Sequence, residues 1–140
     1  MKRFHDDRGS VLLLIIGMTA LALALVVAGM DATSLYLERK RLFTIADGAA
    51  LVAAQSFDAS LALTEGRPRL SDDSVTRVAT DYLRHLSPDA HHSATLGVAQ
   101  TPDAKTAVVQ MRSVWHPPII SVFLPNGLEL SVTARARTVY

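Results

Sequence analysis

Val11 to Met30 reads VLLLIIGMTALALALVVAGM, twenty residues without a charge. As a helix rising about 1.5 Å per residue it spans roughly 30 Å, the thickness of a bilayer's hydrocarbon core. Val11, Leu12, Ile15, Leu21, Leu25 and Met30 mark this span. From Asp31 to Gln55 the chain is polar enough to leave a membrane, yet it contains no Pro and a single Gly, Gly48. The whole of Ser10–Gln55 is therefore predicted to be one helix. Residues 10–30 cross the membrane and residues 31–56 continue as a stalk. Residues 1–9 stay on one side, and residues 57–140 form a small domain on the other.

On the N-terminal side, Lys2, Arg3 and Arg8 precede the span, and Arg39, Lys40 and Arg41 follow it. Arg8 lies close to the span, whereas Asp31 and Glu38 precede the downstream cluster. Positive charge beside a first span favours the cytoplasm, so a cytoplasmic N-terminus and an extracytoplasmic C-terminal domain are expected. A cleaved signal peptide is the competing reading, with Val26-Val27-Ala28 as its cleavage site. Its apolar region would run about 7–15 residues; this one is longer, and the helical pattern passes straight through the supposed cut. A retained, single-pass anchor fits better.

Within the span, Ala20, Ala24 and Ala28 recur every fourth residue, with Ala32 beyond. Small residues at that spacing let a second helix approach closely, although alanine's abundance in apolar helices yields the same pattern. Asp31 marks the exit, where a carboxylate is hydrated rather than stranded in lipid. Glu38-Arg39-Lys40-Arg41 wraps nearly a full turn and reads as a solvated collar that touches lipid headgroups. Beyond it Leu42, Ile45, Ala46, Ala49, Val52 and Ala53 return at three- and four-residue steps, an apolar face for the domain or a partner.

These features together resemble the TadE/TadG-like proteins of the Tad (Flp, tight-adherence) pilus assembly system. The resemblance rests on the Arg8-Gly9-Ser10 entry, the span, the Asp at its exit, and a block in which Leu42, Ala46, Asp47, Ala49, Ala50 and Leu51 are the matching positions. It implies a pilin-like fold, no enzymatic activity, no cofactor, and partners among membrane lipids and other pilin-like or pilus assembly proteins. In peptidase-processed pilins a Glu follows the cleavage Gly by five residues. Here the fifth residue after Gly9 is Leu14, which favours the unprocessed TadG-like branch.

After the stalk, Glu65-Gly66-Arg67-Pro68 reads as a loop. Ser71-Asp72-Asp73 then offers N-cap oxygens to a helix whose apolar positions are Val75, Val78, Ala79, Tyr82, Leu83 and Leu86, closed by Ser87-Pro88. Ser93–Gln100 and Thr106–Trp115 flank a Thr101-Pro102-Asp103-Ala104 turn as a hairpin. Leu128 to Tyr140 alternates, with Leu128, Leu130, Val132, Ala134 and Ala136 on one face. The expected fold is α+β: the long helix and Ser71–Leu86 packed on an antiparallel sheet of three to four strands. Leu42, Ile45, Ala49 and Val52 are expected to pack against residues such as Val108, Leu130 and Val132. The Ile119–Leu124 segment between Pro118 and Pro125 is expected to be buried over the sheet. Were it exposed, Ile119, Ile120 and Phe123 would form a contact patch.

The 140 residues carry a net charge of +1 and no Cys. Bulk electrostatics therefore points to no nucleic acid, and disulfide bracing and thiol chemistry are excluded. Adjacent His91 and His92 do not share a face and make a poor metal pair. His85 reads as a helix-terminal charge partner, and Asp72-Asp73 is explained by capping. No phosphate loop, nucleophile motif or zinc spacing is present, and no small-molecule substrate is expected. A membrane-tethered binding or sensor domain is the rival to the pilus reading, with an anchored enzyme a distant third.

Overall fold

The computed structural model describes residues 7–57, 69–86 and 94–138, together with Leu63 and Gly66. The Ser87-Pro88 helix stop and the His91-His92 pair lie outside these residues.

One helix, α1 (Asp7–Ala54, 48 residues), runs unbroken through the apolar stretch and the stalk. Of the residues from Val11 to Met30 only Val27 is half-buried; all the others are exposed. This helix is long and apolar enough to cross a membrane. At its far end the last turn is closed by backbone bonds from Gln55 and Ser56 to Val52 and Ala53. The Thr138 hydroxyl donates to the Ala54 carbonyl at 2.7 Å, satisfying a carbonyl that lacks an intrahelical partner.

The second helix, α2 (Asp72–His85), begins where its capping chemistry places it. Ser71 accepts from the Ser74 N–H, and the Ser74 side chain reciprocates to the cap backbone, a box that satisfies two orphan donors. Val75 and Ala79 are buried, and Val78, Tyr82, Leu83 and Leu86 are half-buried, so the whole apolar stripe faces inward. Asp72 also accepts the Thr101 N–H at 2.6 Å, which ties the start of α2 to the hairpin turn. At the other end the His85 Nδ1–H donates to the Asp81 carbonyl at 2.7 Å, and Arg84 pairs with Asp81 at 3.4 Å.

The sheet is an antiparallel meander of β1 (Thr95–Gln100), β2 (Thr106–Trp115) and β3 (Leu128–Arg137), in that spatial order. The β2–β3 ladder pairs Ala107 with Ala136, Val109 with Ala134, Met111 with Val132 and Ser113 with Leu130. These four pairs share the face turned to the helices. β1 carries a bulge at Gly97, between the Leu96–Met111 and Val98–Gln110 pairs.

Two expected contacts are corrected. In β2 the inward residues are Ala107, Val109, Met111 and Ser113, and Val108 lies on the outer face. The run Ala107-Val108-Val109 is apolar at both parities, and Val108 shares its face with Thr106, Gln110 and Arg112, the polar side of the strand. On α1, Ala53 takes the inward position, and Val52 is 39% exposed. At 100° per residue, Val52 sits about 80° away from Leu42 on the helix wheel and Ala53 only about 20°. Leu42, Ile45, Ala46, Ala49 and Ala50 join Ala79, Val109, Met111, Val132 and Ala134 in one buried cluster. Ala53, Ala54, Leu70, Val75 and Ala107 form a second at the distal end. Gly48 provides the close approach of the two helices, since a Cβ there would run into the Tyr82 hydroxyl.

Two turns lend themselves to test. Gly127 has φ +68°, and a Cβ there would sit 2.7 Å from the Trp115 carbonyl oxygen and 2.8 Å from Val114 Cγ1. Gly127→Ala is expected to destabilise the domain by about 2 kcal/mol, from left-handed strain plus overlap, read by chemical unfolding. In the β1–β2 turn, hydrogen bonds from the Lys105 N–H, then from the Thr106 hydroxyl and N–H, hold the Asp103 carboxyl below its usual pKa. A depressed folded-state pKa adds stability that is present above the unfolded value of about 3.9 and lost as pH falls through the lower folded one. Unfolding midpoints at pH 5 and pH 3 should therefore differ less in Asp103→Asn than in the parent chain.

Candidate functional site

The surface that positions everything else is one face of α1. Asp31, Ser34, Glu38, Leu42, Ala46, Ala49 and Ala53 follow each other at three- and four-residue steps, with Ile45 beside Ala46. All of them are buried or half-buried. The sheet lies along this face with β2 antiparallel to the helix.

The part of this seam nearest the apolar run of α1 is polar. The Ser113 hydroxyl donates to Glu38 Oε1 at 3.2 Å. The Trp115 indole N–H donates to Ser34 Oγ at 3.2 Å. The Ile119 backbone N–H donates to Asp31 Oδ1 at 3.3 Å. Four residues of helix advance about 6 Å and two residues of strand about 6.6 Å, so Glu38 and Ser34 meet Ser113 and Trp115 in step. Beyond them the seam turns apolar, with Leu42, Ala46, Val109 and Met111 in one buried cluster.

Asp31 is only 6% exposed. Its Oδ2 is covered and has no hydrogen-bond partner among the described residues. Its Oδ1 holds the first residue of the apolar segment against the helix. That segment, expected to be buried, is instead largely exposed. Ile120–Val122 forms a short 3-10 turn, with Ile119 43%, Val122 84% and Phe123 83% exposed. The reason is geometric: β2 ends at Trp115 and β3 resumes directly opposite at Leu128. The intervening residues therefore project past the end of the sheet and have no strand to cover.

Each remaining sequence-predicted position is accounted for. Val11, Leu12, Ile15, Leu21, Leu25 and Met30 are exposed on the apolar part of α1. Ala20, Ala24 and Ala28 are exposed too, and line a groove with Val27, Asp31 and Ile120. They lie on the same helix face as Asp31 and Leu42, so the stripe is the continuation of the seam below the domain. Ala46, Ala50 and Ala54, which repeat the four-residue step, are instead covered by the domain itself. Of the block positions, Leu42, Ala46, Ala49 and Ala50 are buried, whereas Asp47 and Leu51 are exposed. In the basic collar Arg39, Lys40 and Arg41 are exposed, while Glu38 turns inward to Ser113. Sequence reasoning missed the roles of Ser34, Glu38, Ser113 and Trp115. The available signal was that Asp31, Ser34 and Glu38 extend the Leu42 face backwards at helical spacing. Among the described residues no group of three or more His, Cys, Asp or Glu side chains could hold a metal ion.

Residues 9–56 match a family model described as "Putative Flp pilus-assembly TadE/G-like". The matched stretch is 48 of the 140 residues and is almost coextensive with α1. No curated protein and no solved structure matches the chain.

The Asp31 bond is testable in isolation. Asp31→Ala removes the acceptor for the Ile119 N–H and should lower the local opening free energy at that amide by about 1–3 kcal/mol. Asp31→Asn keeps a carbonyl oxygen there and should retain most of the protection. Hydrogen exchange at Ile119 reads both.

Proposed function

We propose that this chain is a single-pass, membrane-anchored and non-enzymatic pilin-like component, a minor pilin or accessory assembly protein, of a Tad/Flp-type pilus or related secretion machine. Its N-terminus lies in the cytoplasm and its domain outside. The observation that carries this reading is α1: a similarity to TadE/G-like proteins confined to residues 9–56 coincides with a continuous helix. Half of that helix is bare and apolar, and the other half is clothed by the chain's own domain. A subunit of this shape is stored in a bilayer and packs side by side with others, leaving Ala20, Ala24 and Ala28 as the approach surface for a neighbouring helix. Lipid supplies no hydrophobic force between helices, so such association depends on close backbone contact.

The direct test is a clean deletion, which should abolish or strongly reduce surface fibres and adherence; normal piliation would count against the role. A finer test separates insertion from assembly. Ala24→Leu adds apolar surface and should insert as well as the parent, yet weaken cysteine crosslinking to a pilin partner. Ala22→Leu, about 200° around the helix, should not. Equal crosslinking in the two variants would place the partner surface on the domain instead.

A further inference from the structure

The uncharged connection Pro117–Gly127 meets the apolar run of α1 at Ile120, and its Val122 and Phe123 side chains are almost fully exposed. Ile119 is bonded to Asp31 at 3.3 Å. Ile120 then lies against the groove formed by Ala24, Val27 and Ala28. Val27 is the one residue of Val11–Met30 that is not fully exposed. It sits four residues, or about 6 Å along the axis, inside the run from Asp31. In the turn that follows, Val122 and Phe123 are 84% and 83% exposed, with Leu124 at 39%.

We propose that this connection, through Val122 and Phe123, inserts into the lipid surface beside α1 and gives the domain a second attachment to the bilayer. The inference rests on the membrane reading of Val11–Met30. Given that reading, the lipid around the exposed residues of the apolar run is also within reach of the exposed side chains in the turn that Ile120 begins. Lipid covers loop and helix as one continuous apolar surface.

Two further features suit the lipid surface. The segment from Pro117 to Gly127 contains no charged residue. Its tip is also internally bonded: the Phe123 and Leu124 N–H groups donate to the Ile120 carbonyl at 2.9 and 3.2 Å, and the Gly127 N–H to the Leu124 carbonyl at 3.1 Å. Backbone groups satisfied in this way are what an apolar medium requires. Attachment at two points, α1 and the loop, stops the domain from tilting about the membrane exit and holds one face of the domain toward the bilayer.

The test uses the full chain in nanodiscs of phosphatidylcholine and phosphatidylglycerol, with nitroxide labels on single cysteines introduced into this Cys-free sequence. Phe123→Cys reports the loop, Ile16→Cys the apolar run, and Asp73→Cys the exposed start of α2 at the opposite end of the domain. Collisions with oxygen, which partitions into lipid, are compared with collisions with a water-soluble nickel chelate. The expected result is a several-fold excess of oxygen over nickel collisions at 123, a larger excess at 16, and the reverse at 73. A deep label at 16 with a water-exposed label at 123 would overturn the proposal and leave the anchor intact. A label at 123 shielded from both reagents would overturn it in favour of a protein partner. A water-exposed label at 16 would overturn the membrane reading, and this proposal with it.

Discussion

The fold depends on the contact between a single face of α1 and the inner face of β2. A 14-residue helix and three strands are too little to enclose a core by themselves. The main cluster is closed only because Leu42, Ile45, Ala46, Ala49 and Ala50 of α1 form its wall. Four of those side chains are small or branched near the backbone, which brings helix and sheet close together. The match between one helical turn and two strand residues keeps the contact in register along its length. The stalk is therefore as much a part of the domain as the sheet is.

The character of the seam changes along its length. At the far end it is apolar, where water on either side makes burial of alanine and leucine favourable. Toward the apolar run of α1 it becomes polar, through Glu38, Ser34 and Asp31, each holding a group on or just beyond β2. On the membrane reading this is the expected transition. Near lipid, apolar contact no longer distinguishes protein from surroundings, and directional hydrogen bonds take over the task of fixing position. The cost is an Asp31 carboxylate with one covered oxygen unbonded among the described residues, tolerated where it pins the start of the loop.

The similarity to TadE/G-like proteins ends with the helix. It describes the scaffold, in which small side chains let the chain's own sheet come close. The domain beyond residue 56 lies outside the match. Its Val122 and Phe123, the most exposed large apolar side chains of the β2–β3 connection, belong to that part.

The sequence alone determined the elements whose signal is local and periodic. An uncharged run with no breaker made α1 legible from Val11 into the stalk, the Ser71 cap located α2, and strict alternation identified the inward face of β3. The tertiary structure decided what periodicity leaves open. Val52 and Ala53 are neighbours in sequence but about 100° apart on the helix, and only the position of the sheet chose Ala53. Asp31, Ser34 and Glu38 look like exposed stalk residues until Ile119, Trp115 and Ser113 arrive from more than seventy residues away. The loop's exposure was likewise hidden: an apolar segment signals burial, and only its position beyond the end of the sheet leaves Val122 and Phe123 uncovered.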